Sequence, residues 1–238
     1  MPKYDAGKLV ATLDWSAIAR ELNEVGVATT GRLLSAEQCT ALRSLYPDDS
    51  RFRSHVVMKR HGFGEGEYKY YAHPLPEIIA SLREAFYPHL APIANEWHRR
   101  MDIDRHFPAS LQAFLDECHA DGQARPTPLL LKYGPGDYNC LHQDLYGEHV
   151  FPIQLVILLS EPGTDFTGGE FVMTEQRPRM QSRAEVVPLG MGEGALFAVC
   201  DRPRQGARGD YRVRMRHGVS RIRAGERATL GVIFHDAA

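Results

Sequence analysis

Residues 133–144 read Tyr-Gly-Pro-Gly-Asp-Tyr-Asn-Cys-Leu-His-Gln-Asp, and this stretch decides the fold. A Gly-Pro-Gly turn follows an apolar strand and leads into a run that ends in His142-Gln143-Asp144. A distant histidine, His217, opens the apolar half of a later strand. Two imidazoles and one carboxylate on one face, with open positions opposite, form the ligand set that suits non-haem Fe(II). We therefore predict His142, Asp144 and His217 as metal ligands and catalytic centre.

The chain around this stretch changes from helical to strand periodicity after Pro126. Short apolar or alternating runs separated by Gly and Pro turns predict a jelly roll. The predicted fold class is α+β: one domain over 1–238, with mainly helical support and a lid in 1–125 and a double-stranded β-helix (jelly-roll, cupin-like) core in 126–238. The predicted strands are Leu129 to Tyr133, Val150 to Leu159, Gly169 to Thr174, Glu185 to Pro188, Gly194 to Val199, Tyr211 to Val219 and Arg227 to Phe234.

The first half carries helix signals. Asp14 is expected to cap a helix over Trp15 to about Glu24, and Ser35 to Gln38 form a capping box for the next helix. Leu75 to Phe86 predicts a third helix. Since proline interrupts helices, Pro88 and Pro92 predict a break before a separate fourth helix. A fifth helix is expected over Leu111 to Cys118.

Composition bounds the class of protein. With 238 residues, 43% hydrophobic and 24% charged, the chain can bury a sizeable core, which excludes disorder, collagen and coiled coil. No apolar run is long enough for a membrane span, and no apolar segment near the start resembles a signal peptide. Four cysteines without CxxC spacing indicate reduced thiols. We expect a cytoplasmic protein with no membrane partner; the sequence does not indicate its oligomeric state.

The net charge of −2 conceals a local excess of arginine. Between Arg177 and Arg227 there are 12 arginines and no lysine, against five acids. Arginine recognises phosphate through planar, bidentate contacts, so residues 202–223 are a candidate nucleic-acid surface. The alternative is an ordinary solvated strand face.

The last predicted strand adds a second polar site. Arg227 opens it ten residues after His217, and Thr229 points to the same side as Arg227 by strand alternation. An arginine and a hydroxyl inside a β core need an anionic partner, because a buried lone guanidinium is costly. The distal carboxylate of 2-oxoglutarate would satisfy both side chains.

With these features together, the chain resembles the 2-oxoglutarate/Fe(II)-dependent oxygenase superfamily. The resemblance implies Fe(II), 2-oxoglutarate and O₂ as cofactor and co-substrates, with ascorbate as a candidate reductant. Tyr133, nine residues before His142, matches the tyrosine that hydrogen-bonds 2-oxoglutarate in this superfamily. Tyr133, Arg227 and Thr229 are therefore the expected co-substrate residues.

Within the superfamily, residues 133–144 are similar to the corresponding stretch of AlkB-type nucleic-acid demethylases, while the spacing after His217 is similar to prolyl hydroxylases. The AlkB pattern has a second Arg where this chain has Ile233, and an Asn where it has Leu131. From about His61 to the C-terminus, the chain resembles a bacterial oxygenase family linked to oxidative dealkylation of damaged DNA. This resemblance implies repair of alkylated nucleic acid.

Residues 51–71 interleave aromatic and basic side chains with glycines. Bases stack on aromatic rings while cations meet phosphates, so this segment suits a lid over a flipped base or a single strand. The alternative is a Gly-rich hairpin that only covers the barrel mouth. The candidate substrate residues are Tyr138, Arg60, His61, Lys69, Tyr70 and Tyr71. Cys140 is interpreted as a small core residue.

Two other functions fit the same residues. A protein, prolyl or small-molecule hydroxylase of the superfamily would explain the absence of a second arginine at position 233. A non-catalytic cupin-like module could bind a metal such as Zn²⁺ with the same three ligands.

Overall fold

A computed structural model of the protein describes residues 4–145 and 147–238, so residues 1–3 and 146 of the predicted 1–238 domain lie outside the described residues. The α-helices are α1 (Ala6–Ala11), α2 (Trp15–Glu24), α3 (Ala36–Arg43), α4 (Glu77–Arg100) and α5 (Leu111–Ala120), and 3₁₀ helices cover Asp49–Arg51 and Met58–His61. The strands are β1 (Val27–Arg32), β2 (Phe52–Val57), β3 (Gly64–Glu65), β4 (Glu67–Tyr71), β5 (Leu129–Tyr133), β6 (Tyr138–His142), β7 (Ile153–Leu158), β8 (Phe166–Gly168), β9 (Phe171–Gln176), β10 (Arg183–Val187), β11 (Glu193–Ala198), β12 (Asp201–Gly206), β13 (Gly209–Val219), β14 (Ile222–Gly225) and β15 (Arg227–Val232). Among the helices of these described ranges, none combines the length and apolarity needed to cross a membrane.

Two antiparallel sheets build the core. The major sheet has the strand order β1-β11-β7-β15-β5-β4-β2, and the minor sheet has the order β10-β9-β13-β6-β3, with β12 beside β13. Several neighbours, such as β7 and β15 or β6 and β13, are far apart in sequence, as the crossing connections of a double-stranded β-helix require. The predicted fold class is confirmed. The sheets remain open and do not close into a barrel.

The first half of the chain contributes more strands than its sequence indicates. β1 pairs with β11 at one edge of the major sheet, and β4 pairs with β5 toward the other edge. The segment over residues 51–71, expected to be a lid, is thus largely a hairpin of β2 and β4 within the major sheet. Strands from both halves share hydrogen bonds, which covers edges that would otherwise be exposed.

One predicted boundary is wrong. Pro88 and Pro92 do not separate two helices, because α4 runs through both for 24 residues. Both prolines lie on the exposed side of α4, where water can replace the backbone hydrogen bonds that proline removes. The opposite side buries Phe86, Leu90 and Trp97 in the main core, and this packing holds the helix together.

The arginine-rich stretch is partly structural. Arg202 on β12 is fully buried, pairs with the carboxylate of Glu175, and donates to the backbone carbonyls of Asn23 and Glu24. Arg204 also contacts Glu175, and Arg212 donates to the carbonyl of Met101. The expectation that residues 202–223 form one solvent-facing basic surface is therefore corrected for Arg202 and Arg204, while Arg212 stays exposed.

Six of the eight arginines in residues 202–223 are exposed. They are Arg208, Arg212, Arg214, Arg216, Arg221 and Arg223.

We expect Glu175→Gln to lower the free energy of unfolding by about 3–5 kcal/mol, since it leaves a buried guanidinium without its countercharge. Urea denaturation followed by circular dichroism measures this change. The matched control is Glu185→Gln on neighbouring β10, where the carboxylate is exposed. Equal stability of both variants would contradict a structural role for the Arg202–Glu175 pair.

Candidate metal centre and active site

The two predicted histidine ligands are direct cross-strand neighbours. His142 at the end of β6 pairs with His217 on β13, and their ring centroids lie 4.3 Å apart. Asp144 follows β6 by two residues and lies between them. One donor atom from each of the three side chains falls within 4.8 Å of the others. The sequence prediction of this cluster agrees with the placement of all three residues.

Glycine at position 218 permits this close pairing. A Cβ on Gly218 would lie 2.6 Å from the carbonyl oxygen of Asn139 on β6, closer than real contacts allow. The register between β13 and β6 also shifts between His217 and Val219, as at a β-bulge. A side chain at 218 would push β6 away and separate the two imidazoles. This steric constraint explains why glycine follows His217.

Hydrogen bonds orient the ligands. Nδ1 of His142 lies 2.7 Å from the carbonyl oxygen of Cys140, so this nitrogen carries the proton and donates. Its Nε2 faces Oδ1 of Asp144 at 3.3 Å, and Nε2 of His217 faces Oδ2 at 3.3 Å. The Nε2 lone pairs and the carboxylate thus converge on one point, as metal ligands must.

Burial and charge set the ionisation of the three groups. Burial lowers the pKa of His142, but the hydrogen bond and charge of Asp144 outweigh it and raise the pKa above its usual value. At His217 burial prevails, and the pKa is lowered. For Asp144, burial raises the pKa of the carboxyl, yet the two imidazoles together hold it well below its usual range. The carboxylate is thus ionised and His217 neutral, which are the metal-binding forms.

The donor set fits Fe(II). Two imidazole nitrogens and one carboxylate oxygen from one side leave the opposite side open, unlike a closed tetrahedral structural zinc site. His217 is buried, and its Nδ1 has no hydrogen-bond partner among the described residues.

A second polar cluster lies on the major sheet. Arg227 opens β15 and pairs across the strands with Tyr133 at the end of β5. Nη1 of Arg227 donates to Oγ1 of Thr229 at 3.0 Å, and the hydroxyl of Tyr133 lies 3.5 Å from Nδ2 of Asn139. Arg227, Thr229 and Tyr133 are all buried and line one cavity with the metal-ligand cluster. The structure thus places the predicted co-substrate residues together.

The guanidinium of Arg227 forms no ion pair with a carboxylate within residues 4–145 and 147–238, and its Nε has no hydrogen-bond partner there. The charge of Glu170 acts on Arg227 without forming an ion pair with it. Burial lowers the pKa of Arg227 to about 10. A buried cation without an anion is costly, and a ligand carboxylate between Arg227, Thr229 and Tyr133 would relieve that cost. These residues therefore fit the distal carboxylate of 2-oxoglutarate.

The shared cavity has a volume of about 390 Å³, which is in the range of small-ligand sites. Its walls are mainly apolar and aromatic. Phe197 lies 4.7 Å from the ring of His217, and Phe171 lies 5.1 Å from Phe197. Water is thereby limited on the metal side of the cavity.

The mouth of the cavity carries exposed apolar side chains. Phe63 and Leu141 line it and are exposed, and Leu145 next to the metal-ligand Asp144 is exposed as well. Phe63 stacks on His61 with ring centroids 5.3 Å apart, and its carbonyl accepts a hydrogen bond from the Cys140 amide at 2.9 Å. The stacked pair is thus held against β6 at the entrance.

The predicted substrate residues on β4 do not all face the cavity, because alternate residues of a strand point to opposite sides. Tyr70 on β4 lines the cavity, as does Tyr68, which sequence reasoning missed. Lys69 and Tyr71 lie on the opposite face, where Lys69 binds Asp49 and the carbonyl of Tyr46. This placement corrects the expectation that Lys69 and Tyr71 contact substrate, because alternate residues of a strand face opposite sides.

The remaining candidates lie at or beyond the rim. Arg60 and His61 are exposed on a 3₁₀ helix that precedes the cavity-lining Gly62. Tyr138 is not among the described residues that line the cavity. Its ring instead lies 5.9 Å from the guanidinium of Arg221. Cys140 is exposed, so its interpretation as a core residue is wrong.

Sequence reasoning also missed Gln154. This residue lines the cavity from β7, whose six residues are all buried. The sequence does carry a signal for Gln154, since it is the single polar residue in the apolar run Ile153 to Leu158. Buried polar groups usually have a partner, so a polar residue in a buried strand indicates a site where one is supplied.

Comparison with known proteins gives a family. The Oxygenase-NA model, described as an oxygenase catalysing oxidative methylation of damaged DNA, matches residues 66–237. Two uncharacterized proteins of Mycobacterium tuberculosis strains are 53% identical over 165 residues, which cover 69% of this chain and 71% of theirs.

Solved structures agree in fold. A Pseudomonas putida prolyl-4-hydroxylase matches with a TM-score of 0.52 and 13% identity, over 91% of this chain and 96% of its own. A 2OG-Fe(II) oxygenase family oxidoreductase from Burkholderia pseudomallei matches with a TM-score of 0.52 and 17% identity, over 94% and 93%. At this identity, these likenesses concern the fold alone.

We expect Asp144→Asn to weaken divalent-metal binding by at least about 100-fold, because an amide replaces the anionic ligand. Isothermal titration with Mn²⁺ measures the affinity. Asp121→Asn is the matched control, since Asp121 also pairs with a histidine, His149, but does not line the cavity. Unchanged Mn²⁺ affinity in Asp144→Asn would show that this cluster does not hold the metal.

Proposed function

The chain belongs to the Oxygenase-NA family of 2-oxoglutarate- and Fe(II)-dependent oxygenases, and on this premise we propose that it removes alkyl groups oxidatively from damaged nucleic acid. The observation that carries the proposal is one apolar cavity with a His-Asp-His cluster on one side and an unpaired buried arginine on another. Membership of an oxygenase family removes the alternative of a non-catalytic metal-binding module.

In this proposal, His142, Asp144 and His217 hold Fe(II), while Arg227, Thr229 and Tyr133 hold the distal carboxylate of 2-oxoglutarate. When bound, iron and 2-oxoglutarate supply the activation of O₂ that hydroxylates a carbon–hydrogen bond. The protein contributes fixed ligand geometry, a countercharge for the co-substrate and apolar walls that limit water.

On an N-methyl base, the proposed reaction converts methylated base, O₂ and 2-oxoglutarate into hydroxymethylated base, succinate and CO₂. The hydroxymethyl group then leaves as formaldehyde, as its carbon–nitrogen bond breaks and the hydroxyl proton returns to the nitrogen. On a carbon substituent the hydroxyl would stay, which is modification and not repair.

The cavity entrance supports a nucleobase as substrate. Phe63 stacked on His61, with Tyr68 and Tyr70 inside, offers aromatic surfaces to a planar ring. Arg60 next to this pair offers a cation to a phosphate. The exposed arginines of residues 202–223 offer further cations to phosphates, and because stacking on these rings requires an unstacked base, we infer contact with an unpaired segment. We also propose that the entire chain acts as one domain in the cytoplasm.

We expect the wild type, loaded with Fe(II) and supplied with ascorbate, to form succinate and formaldehyde in equal amounts on methylated single-stranded DNA. Mass spectrometry of the base and a formaldehyde assay measure both products. Unmethylated DNA and His142→Ala are the controls. Succinate formed equally with and without methylated DNA, but with a peptide or amino acid becoming hydroxylated, would favour the alternative of a protein or small-molecule hydroxylase.

The co-substrate assignment has a separate test in thermal stability. Arg227→Met removes a buried unpaired cation, so we expect the metal-free variant to melt at the same or a higher temperature than wild type. Stabilisation by added 2-oxoglutarate with Mn²⁺ should be lost. Arg221→Met, at an exposed position, is the control. Full stabilisation of Arg227→Met by 2-oxoglutarate would contradict the assignment.

A further inference from the structure

Gln154 is a buried amide whose nitrogen has no partner among the residues that the structure describes. It is 4% exposed, and its Nε2 makes no hydrogen bond within the described chain. It lies in β7 among apolar residues and lines the same cavity as the metal-ligand cluster. Leaving a buried amide donor unpaired is unfavourable unless a ligand supplies the acceptor.

The strand register places Gln154 on the metal side of the cavity. Its direct cross-strand partner on β11 is Phe197, whose ring packs on His217. Thr229, in the co-substrate cluster, is instead opposite Leu158. Leu158 is four residues along β7 from Gln154, or about 13 Å at the strand rise. The amide is thus too far from Thr229 to share the carboxylate held there.

We propose that Gln154 donates a hydrogen bond from Nε2 to a carbonyl oxygen beside the alkylated nitrogen of the base, and so sets base preference. This inference rests on the proposed function and names the substrate class of the same site. A neutral amide brings no countercharge to a cationic base, and the unpaired Nε2 donor can be satisfied only by an acceptor such as a carbonyl oxygen.

Methylated bases differ in this respect. 3-Methylthymine carries a carbonyl on each side of the methylated nitrogen. 1-Methyladenine is cationic and presents an amino group and a carbon–hydrogen bond there, with no acceptor. Its amino group could meet only the carbonyl oxygen of Gln154, which would leave Nε2 unpaired. We therefore expect the wild type to prefer 3-methylthymine, because a site built to donate a hydrogen bond rejects an analogue without the acceptor.

The experiment compares wild type, Gln154→Met and Gln154→Glu on two single-stranded oligonucleotides that differ only in the methylated base. In Gln154→Met we expect kcat/KM to fall about 10- to 100-fold on 3-methylthymine and to change little on 1-methyladenine. Gln154→Glu replaces the donor with an anion of the same shape and should shift preference toward the cationic base. Gln205→Met, at an exposed position on β12, is the control.

The outcomes separate this inference from the proposed function. Turnover with the same base preference in all variants, or a wild-type preference for 1-methyladenine, would overturn the role of Gln154 alone. An increase of the 2-oxoglutarate KM in Gln154→Met, with base preference unchanged, would assign the amide to the co-substrate and also overturn it. If wild type turns over neither oligonucleotide, the proposed function fails and this inference fails with it. Anisotropy of labelled oligonucleotides with the Mn²⁺-loaded protein gives a binding readout, in which Gln154→Met should weaken binding of 3-methylthymine only.

Discussion

The pairing of β6 with β13 positions the candidate metal centre, and much of the surrounding structure serves that pairing. It sets His142 opposite His217, and Gly218 allows the two backbones to approach closely enough. β9 on the other side of β13 fixes the same register through a ladder that includes His217 and Met173. Because register in a sheet is set by many pairs at once, a one-residue slip would turn His217 away from the cavity. The three ligands therefore depend on the entire minor sheet.

The major sheet imposes the complementary constraint. β15 lies between β5 and β7, so Arg227 faces Tyr133 across one ladder while Thr229 faces Leu158 across the other. Both polar side chains point inward because they alternate with Ala228 and Leu230. The first half of the chain completes this sheet, since β4 beside β5 adds Tyr68 and Tyr70 to the cavity wall. The candidate metal ligands and the candidate co-substrate residues thus come from opposing sheets.

The sequence could predict what local pattern determines. Strand alternation predicted that Arg227 and Thr229 point to the same side, and the capping box at Ser35 predicted the start of α3. It could not predict α4 through Pro88 and Pro92, because burial of the opposite helix face outweighs the local cost of proline. Nor could it assign Lys69 and Tyr71, since their orientation depends on the pairing of β4 with β5. The role of Gln154 could not be predicted either, because it depends on the central position of β7 in the major sheet and on which face of β7 lines the cavity.

Two buried arginines show why missing partners indicate function here. Burial lowers the pKa of both Arg202 and Arg227 to about 10, so burial disfavours the charged form of both side chains to a similar extent. Arg202 is compensated by Glu175 and by backbone carbonyls of α2, and its role is to join β12 to that helix. Among the described residues, Arg227 hydrogen-bonds the Thr229 hydroxyl and pairs with no carboxylate, although the same fold supplies a carboxylate to Arg202. The missing ion pair at Arg227 within the described chain therefore supports the proposed anion site in the cavity. The unpaired Nε2 of Gln154, which lines the same cavity, supports the proposed oxygen acceptor in the same way.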